Sequence, residues 1–166
     1  NNVEEMRAHM YEVRPKVGDV VFLRDSFVHS LGSGVCMLEP QEPTDWNILA
    51  EWEDYPFTKE EAAIGLDWDT ALEAADFSEM PKEYLENYVR RTPEVIREED
   101  SSIEEHLVPD EAEEFFDLTR LKINKKISMP DDRGFYCAIC TQGEGNVVGP
   151  FGEMPIKRGE SLFIPS

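Results

Sequence analysis

The sequence predicts a mainly β fold interrupted by an acidic helical insertion. Three observations predict it. Short apolar runs come in pairs around glycine turns, first at Val20–Leu23 and Val35–Leu38 with Gly32 and Gly34 between them. The same texture returns after Phe115, at Phe135–Thr141 and Leu162–Ile164. Between residues 58 and 114 the apolar period becomes helical and acidic residues dominate.

Bulk properties narrow the function classes. The chain has 166 residues, enough for about one domain or slightly more. It is 40% hydrophobic and 10% aromatic, which suffices for a core. Its formal charge of −20 argues against nucleic acid and against anionic membrane surfaces as partners. No run approaches the roughly 20 apolar residues of a membrane span, and no secretory signal opens the chain. The three cysteines make no disulfide framework, so a reducing cytoplasm is the expected compartment. Cys137 and Cys140 form C-A-I-C inside a strand-like run, where that spacing sends the thiols to opposite faces.

In chain order, Asn2 to His9 reads as the end of a helix and His9 as a solvated histidine. Tyr11–Pro15 reads as a short strand, and Pro15–Gly18 as a turn into the strand at Val20. Asp45–Trp52 gives a further strand candidate. Thr58-Lys-Glu-Glu61 has the form of a capping box, so a helix should begin there. Asp67–Ala75 places Trp68, Leu72 and Ala75 on one helical face, and Pro81 precedes a helix with Tyr84, Leu85, Tyr88 and Val89 on its apolar side. Thr92–Glu114 is acidic and weakly apolar. It is expected to be an exposed connection with short helical turns, either a solvated face or a docking surface for a basic partner. Strands are expected from Phe116 to Asn124, over Phe135–Thr141, briefly at Asn146–Gly149, and from Leu162 onward.

His29 is the most informative single residue. Neutral imidazole is the commonest protein metal ligand, against the plain alternative of a hydrogen-bonded histidine beside a turn. Counted from Gly18, His29 falls where the pattern G-x5-P-x-G-x2-H puts its histidine, with Arg24 and Ser26 replacing the proline and second glycine. Downstream comes Glu39-Pro-Gln-Glu-Pro-Thr-Asp45, then Gly65-Leu-Asp-Trp-Asp-Thr-Ala-Leu-Glu-Ala-Ala-Asp76, and near the end Gly159-Glu-Ser-Leu-Phe-Ile-Pro165. Together these resemble the class I, zinc-dependent mannose-6-phosphate isomerases of the cupin superfamily. The glycine turn after the last metal-ligand histidine, and the strand ending in E-x-Q-x-P-[ST]-D, carry most of the likeness.

The resemblance implies cupin, or jelly-roll, β-sandwich strands. Residues 1–57 would be the C-terminal part of a first cupin unit, 58–114 an acidic helical insertion, and 115–166 the start of a second unit. It implies a zinc site with His29 as one ligand, a sugar-phosphate substrate, and Glu39 and Asp45 lining the sugar pocket. The other ligands of that family, a Q-x-H pair and a glutamate, lie upstream of this histidine and have no counterpart here. The expectation is that the chain is a fragment, inactive alone, whose sheets are completed by missing segments of its own chain or by a homo-oligomer partner. Relatives carry an arginine four residues after the aspartate, and here that position is Leu49. A leucine cannot replace its bidentate donors, so Arg24 is the candidate substitute cation. The alternative is a non-catalytic sugar-binding or regulatory cupin, and a third reading is a cupin metalloenzyme using iron or manganese.

Overall fold

The computed structural model describes residues 2–44, 46–129 and 134–165. Its contacts divide the chain into two compact units, Asn1–Asn124 and Lys125–Ser166. Strand outweighs helix, 26% against 16%, and every sheet is small and antiparallel. The mainly β expectation therefore holds at that coarse level.

The first unit begins with helix α1 (Val3–Ala8), capped by the Asn2 side chain accepting from the Glu5 N–H. Strand β1 (Val20–Val21) follows and pairs with β2 (Arg90–Arg91). Between them, α2 (Lys59–Ala62) starts at a complete capping box, as Thr58 and Glu61 predict, each side chain bonding the other's backbone N–H. Helix α3 (Trp68–Glu73) starts at Asp67, whose carboxylate accepts from the Thr70 N–H. Its buried member is Ala71, whereas Leu72 is exposed. The short α4 (Lys82–Tyr84) runs into a π-helical turn, Leu85–Val89, with Val89 buried and Tyr84 stacked on Tyr88. Ala62, Ala63 and Ala71 are all buried, so close approach through alanine forms the core around α2 and α3.

The acidic stretch departs from expectation. Instead of an exposed connection with helical turns, it folds into β3 (Glu94–Glu99) and β4 (Ser102–His106), followed by a single 3-10 turn at Asp110–Ala112. With β5 (Thr119–Lys122) these make a three-stranded sheet in the order β3-β4-β5. The central strand β4 is the most buried stretch of the sheet, and Glu104 and Glu105 are both buried in it. Cations make that possible. Arg97 Nε donates to Glu104 at 2.8 Å, and Arg120 Nε and Lys122 Nζ reach Glu105 at 2.6 and 2.7 Å. Burial raises the Glu105 pKa, but Arg120 and Lys122 together outweigh it and hold the carboxyl below its ordinary value. His106 Nε2 lies 3.3 Å from both Glu113 and Asp117, tying the β4–β5 connection to the end of β4.

The β3–β4 hairpin turns on Asp100 and Ser101, both at positive φ (48° and 65°). That is the left-handed pair of a type I′ turn, which matches the twist of the strands it joins.

Three expected strands are absent. Tyr11–Pro15 and Val35–Leu38 form no strand, nor do the described residues of Asp45–Trp52. Val20–Val21 takes Arg90–Arg91 as its partner, so the run at Val35 has no neighbouring strand to satisfy its backbone. Val35, Met37 and Leu38 are accordingly exposed.

The second unit pairs β6 (Tyr136–Ile139) with β9 (Ser161–Ile164), and β7 (Glu144–Gly149) with β8 (Gly152–Lys157). Tyr136, Ala138, Leu162 and Ile164 are half-buried, while Cys137, Ile139 and Phe163 face solvent. The C-A-I-C thiols separate as the alternation requires, Cys137 exposed and Cys140 half-buried. A Cβ at Gly149 would come 2.5 Å from the exposed Phe151 ring, which would have to turn aside to admit it.

Two outcomes follow from this sheet. Ser101→Gly relieves an L-residue of left-handed strain while keeping the bond from Asn124 Nδ2 to the residue 101 carbonyl. It should stabilise the protein by about 0.5–1 kcal/mol, read as a higher urea midpoint. Arg120→Met leaves Glu105 with Lys122 alone and removes the donor to the Gly18 carbonyl. It should cost about 2 kcal/mol in the same measurement.

Candidate functional site

The segment carrying His29 is positioned by a succession of local bonds. Gly18 sits at φ 91°, and its carbonyl accepts from Arg120 Nη1 at 2.6 Å. Asp19 accepts from the Lys16 N–H at 2.9 Å and from Arg90 Nη2 at 2.6 Å. These bonds, the Lys16 N–H foremost, hold its carboxyl below the ordinary range. The Phe22 N–H donates to the Val89 carbonyl at 2.7 Å, and the Phe22 ring meets Tyr88 edge-on.

From Arg24 onward the anchor is Asp76. Its Oδ2 accepts from Arg24 Nη2 at 2.6 Å and its backbone N–H donates to the Ser26 carbonyl at 2.9 Å. Phe27 forms a parallel β-bridge with the same residue, and the Arg24 guanidinium lies 5.4 Å from the centre of the Phe27 ring. Ser26 takes a positive φ of 65° to make this crossing. Asp76 is itself fixed by Ser78, whose N–H donates to Oδ1 at 2.9 Å. Hydrogen bonding from Ser78 is the largest influence holding the Asp76 carboxyl below its ordinary value, with the Arg24 charge adding to it.

His29 Nδ1 lies 2.8 Å from the Phe27 carbonyl oxygen. A carbonyl only accepts, so Nδ1 carries the proton and Nε2 presents its lone pair outward. That is how metal-ligating histidines are commonly oriented, one nitrogen held by a carbonyl and the other free. The ring is exposed. Zinc sites take three or four protein ligands, and no group of three or more His, Cys, Asp or Glu among the described residues could hold a metal ion. The described residues thus supply one well-oriented donor and do not by themselves fit zinc.

The remaining expected residues lie apart from a formed pocket. Glu39 is exposed, with no bonding partner among the described residues. Asp45 lies outside the described residues. Leu49 is half-buried, its N–H donating to the Ala62 carbonyl at 2.9 Å. Arg24 is committed to Asp76 and Phe27. The residue that sequence reasoning passed over is Asp76. The signal for it was the Asp76-Phe-Ser78 spacing, the side-chain-to-backbone turn that Asp forms two residues on.

No helix among the described residues is long and apolar enough to cross a membrane. Comparison with family models, with characterised proteins and with solved structures finds no match to this chain.

The Asp76 anchor gives the site a pH dependence of definite sign. A carboxyl with a lowered folded pKa stabilises fully above its unfolded value near 4 and loses that contribution as pH falls through the folded value. The urea midpoint of the protein should fall on acidification below about pH 4. Asp76→Asn should lower the midpoint at pH 7 and flatten part of that fall.

Proposed function

We propose that the chain is part of a mannose-6-phosphate isomerase-like cupin protein, interconverting a phosphorylated aldose and ketose, with His29 as one ligand of a zinc site. One observation carries the reading: His29, the glycine turn at Gly32 and Gly34, and Glu39-Pro-Gln-Glu-Pro-Thr-Asp45 follow one another in the order and spacing of that family. The orientation of His29 supports it, since its outward Nε2 lone pair suits a metal. Further donors must join His29 before a zinc ion is held. Glu39 and Asp45 would meet sugar hydroxyls, as hydrogen-bonding carboxylates do. The unpaired run at Val35–Leu38 would be covered by a further segment or a second copy that completes the sheet. Cysteines that are all unbridged suit a reducing cytoplasm.

A second reading, a non-catalytic sugar-binding or regulatory cupin, is favoured by Leu49. An aliphatic side chain stands where the family's guanidinium serves the reaction, and Arg24 is held by Asp76 at 2.6 Å rather than free to replace it.

Metal analysis and an isomerase assay of the full-length protein, beside His29→Ala, separate the readings. The first expects about one zinc per chain, turnover of mannose 6-phosphate, and loss of both in the variant. Zinc without turnover supports the second reading. Iron or manganese in place of zinc would point to oxygen chemistry instead. Metal-free protein, with the variant unchanged, returns His29 to a structural role.

A further inference from the structure

A groove of about 530 Å3 lies within the first unit, between residues 11–14 and the π-helical turn. Tyr11, Glu12, Arg14, Leu85, Glu86 and Arg90 line it. Its volume falls within the range of small-molecule sites. The π turn explains why two of these residues meet there. The Arg90 N–H bonds the Leu85 carbonyl five residues back, so the wider turn brings Arg90 round over Leu85 and Glu86. An α turn of about 3.6 residues would also set Arg90 over Glu86, four positions back, but would carry it away from Leu85. Single π turns of this kind recur at functional sites.

The charge around the groove is unlike that of the chain. Residues 125–166 hold five Lys/Arg and five Asp/Glu, so the whole charge of −20 falls on residues 1–124. Here, however, Arg14, Lys82 and Arg90 balance Glu12, Asp19 and Glu86. Both guanidiniums keep donors in reserve. Arg14 uses Nε on Glu12, and Arg90 uses Nη2 on Asp19. Their other N–H groups have no partner among the described residues. Tyr11 Oη donates to Glu86 Oε1 at 3.1 Å, and Lys82 Nζ lies 3.5 Å from the same oxygen, leaving Oε2 open.

We propose that this groove binds a small phosphate-bearing polyol. The spare guanidinium donors of Arg14 and Arg90 take the phosphate, a geometry for which arginine is suited. Glu12, Glu86 Oε2 and the Tyr11 hydroxyl take the hydroxyl groups. A bare anion would meet Glu12 and Glu86 with nothing to offer them, and a neutral sugar would leave the guanidinium forks unused. The groove is separate from His29 and does not depend on the isomerase reading.

Titration calorimetry of the full-length protein with glucose 6-phosphate, glucose and inorganic phosphate tests the proposal. Glucose 6-phosphate should bind saturably, with glucose and phosphate at least tenfold weaker. Arg14 is the suitable position to change, because it is largely exposed and Arg90 also holds Asp19 beside the β1–β2 pair. Arg14→Ala should weaken glucose 6-phosphate at least tenfold with an unchanged melting temperature, and Arg14→Lys should recover only part of that loss. His29→Ala, which tests the isomerase site, should leave this binding as it was. Absence of saturable binding, an unchanged affinity in Arg14→Ala, or loss in His29→Ala would each overturn the assignment. Inorganic phosphate as tight as glucose 6-phosphate would overturn the polyol half of it.

Discussion

Cations are the scarce resource of this fold. Sixteen Lys and Arg serve thirty-six Asp and Glu, so where each cation goes decides which carboxylates can leave water. The three-stranded sheet depends on this allocation most directly. Glu104 and Glu105 sit on its central strand at 1% and 7% exposure, positions an unpaired carboxylate could not occupy. Arg97, Arg120 and Lys122, on the flanking strands, come into register with them. The strand pairing sets the ion pairs, and the ion pairs permit the burial that keeps the strands together.

The same allocation shapes the region around His29. Arg120 reaches past Glu105 to the Gly18 carbonyl, so the sheet holds the entry to β1. Arg90 neutralises Asp19 there, and Arg24 neutralises Asp76. Each guanidinium thereby becomes a structural clamp on the segment that presents the histidine. Arg24 is the more fully committed of the two, its guanidinium paired with Asp76 and set against the Phe27 ring.

Local chemistry was legible from the sequence. The Thr58–Glu61 capping box, the helix near Asp67–Ala75, the apolar side of Tyr84–Val89, and the strands near residues 119–122, 136–139 and 161–164 all form where the residues direct. Each rests on neighbours within a few positions or on simple alternation, so no distant partner has to be known. The acidic stretch was misread for the opposite reason. Glu94–Glu99 and Ser102–His106 look soluble one residue at a time, but they pair with each other, and Ser102–His106 is buried between Arg97 on one side and Arg120 and Lys122, fifteen or more positions from Glu105, on the other. Val35–Leu38 failed in the mirror-image way, since an apolar run is a strand only when another strand lies beside it.

The sequence by itself determined the mainly β character, the helix starts, the net charge of −20, and the motif around His29 that carries the functional reading. It determined these because composition, caps and motif spacing are properties of adjacent residues. Tertiary structure alone decided that Val20–Val21 pairs with Arg90–Arg91, that Asp76 anchors Arg24 and Ser26, and that Arg14 and Arg90 line one groove. Those facts join residues some fifty to seventy-five positions apart, and no local preference specifies which distant backbone or carboxylate a strand or guanidinium will meet.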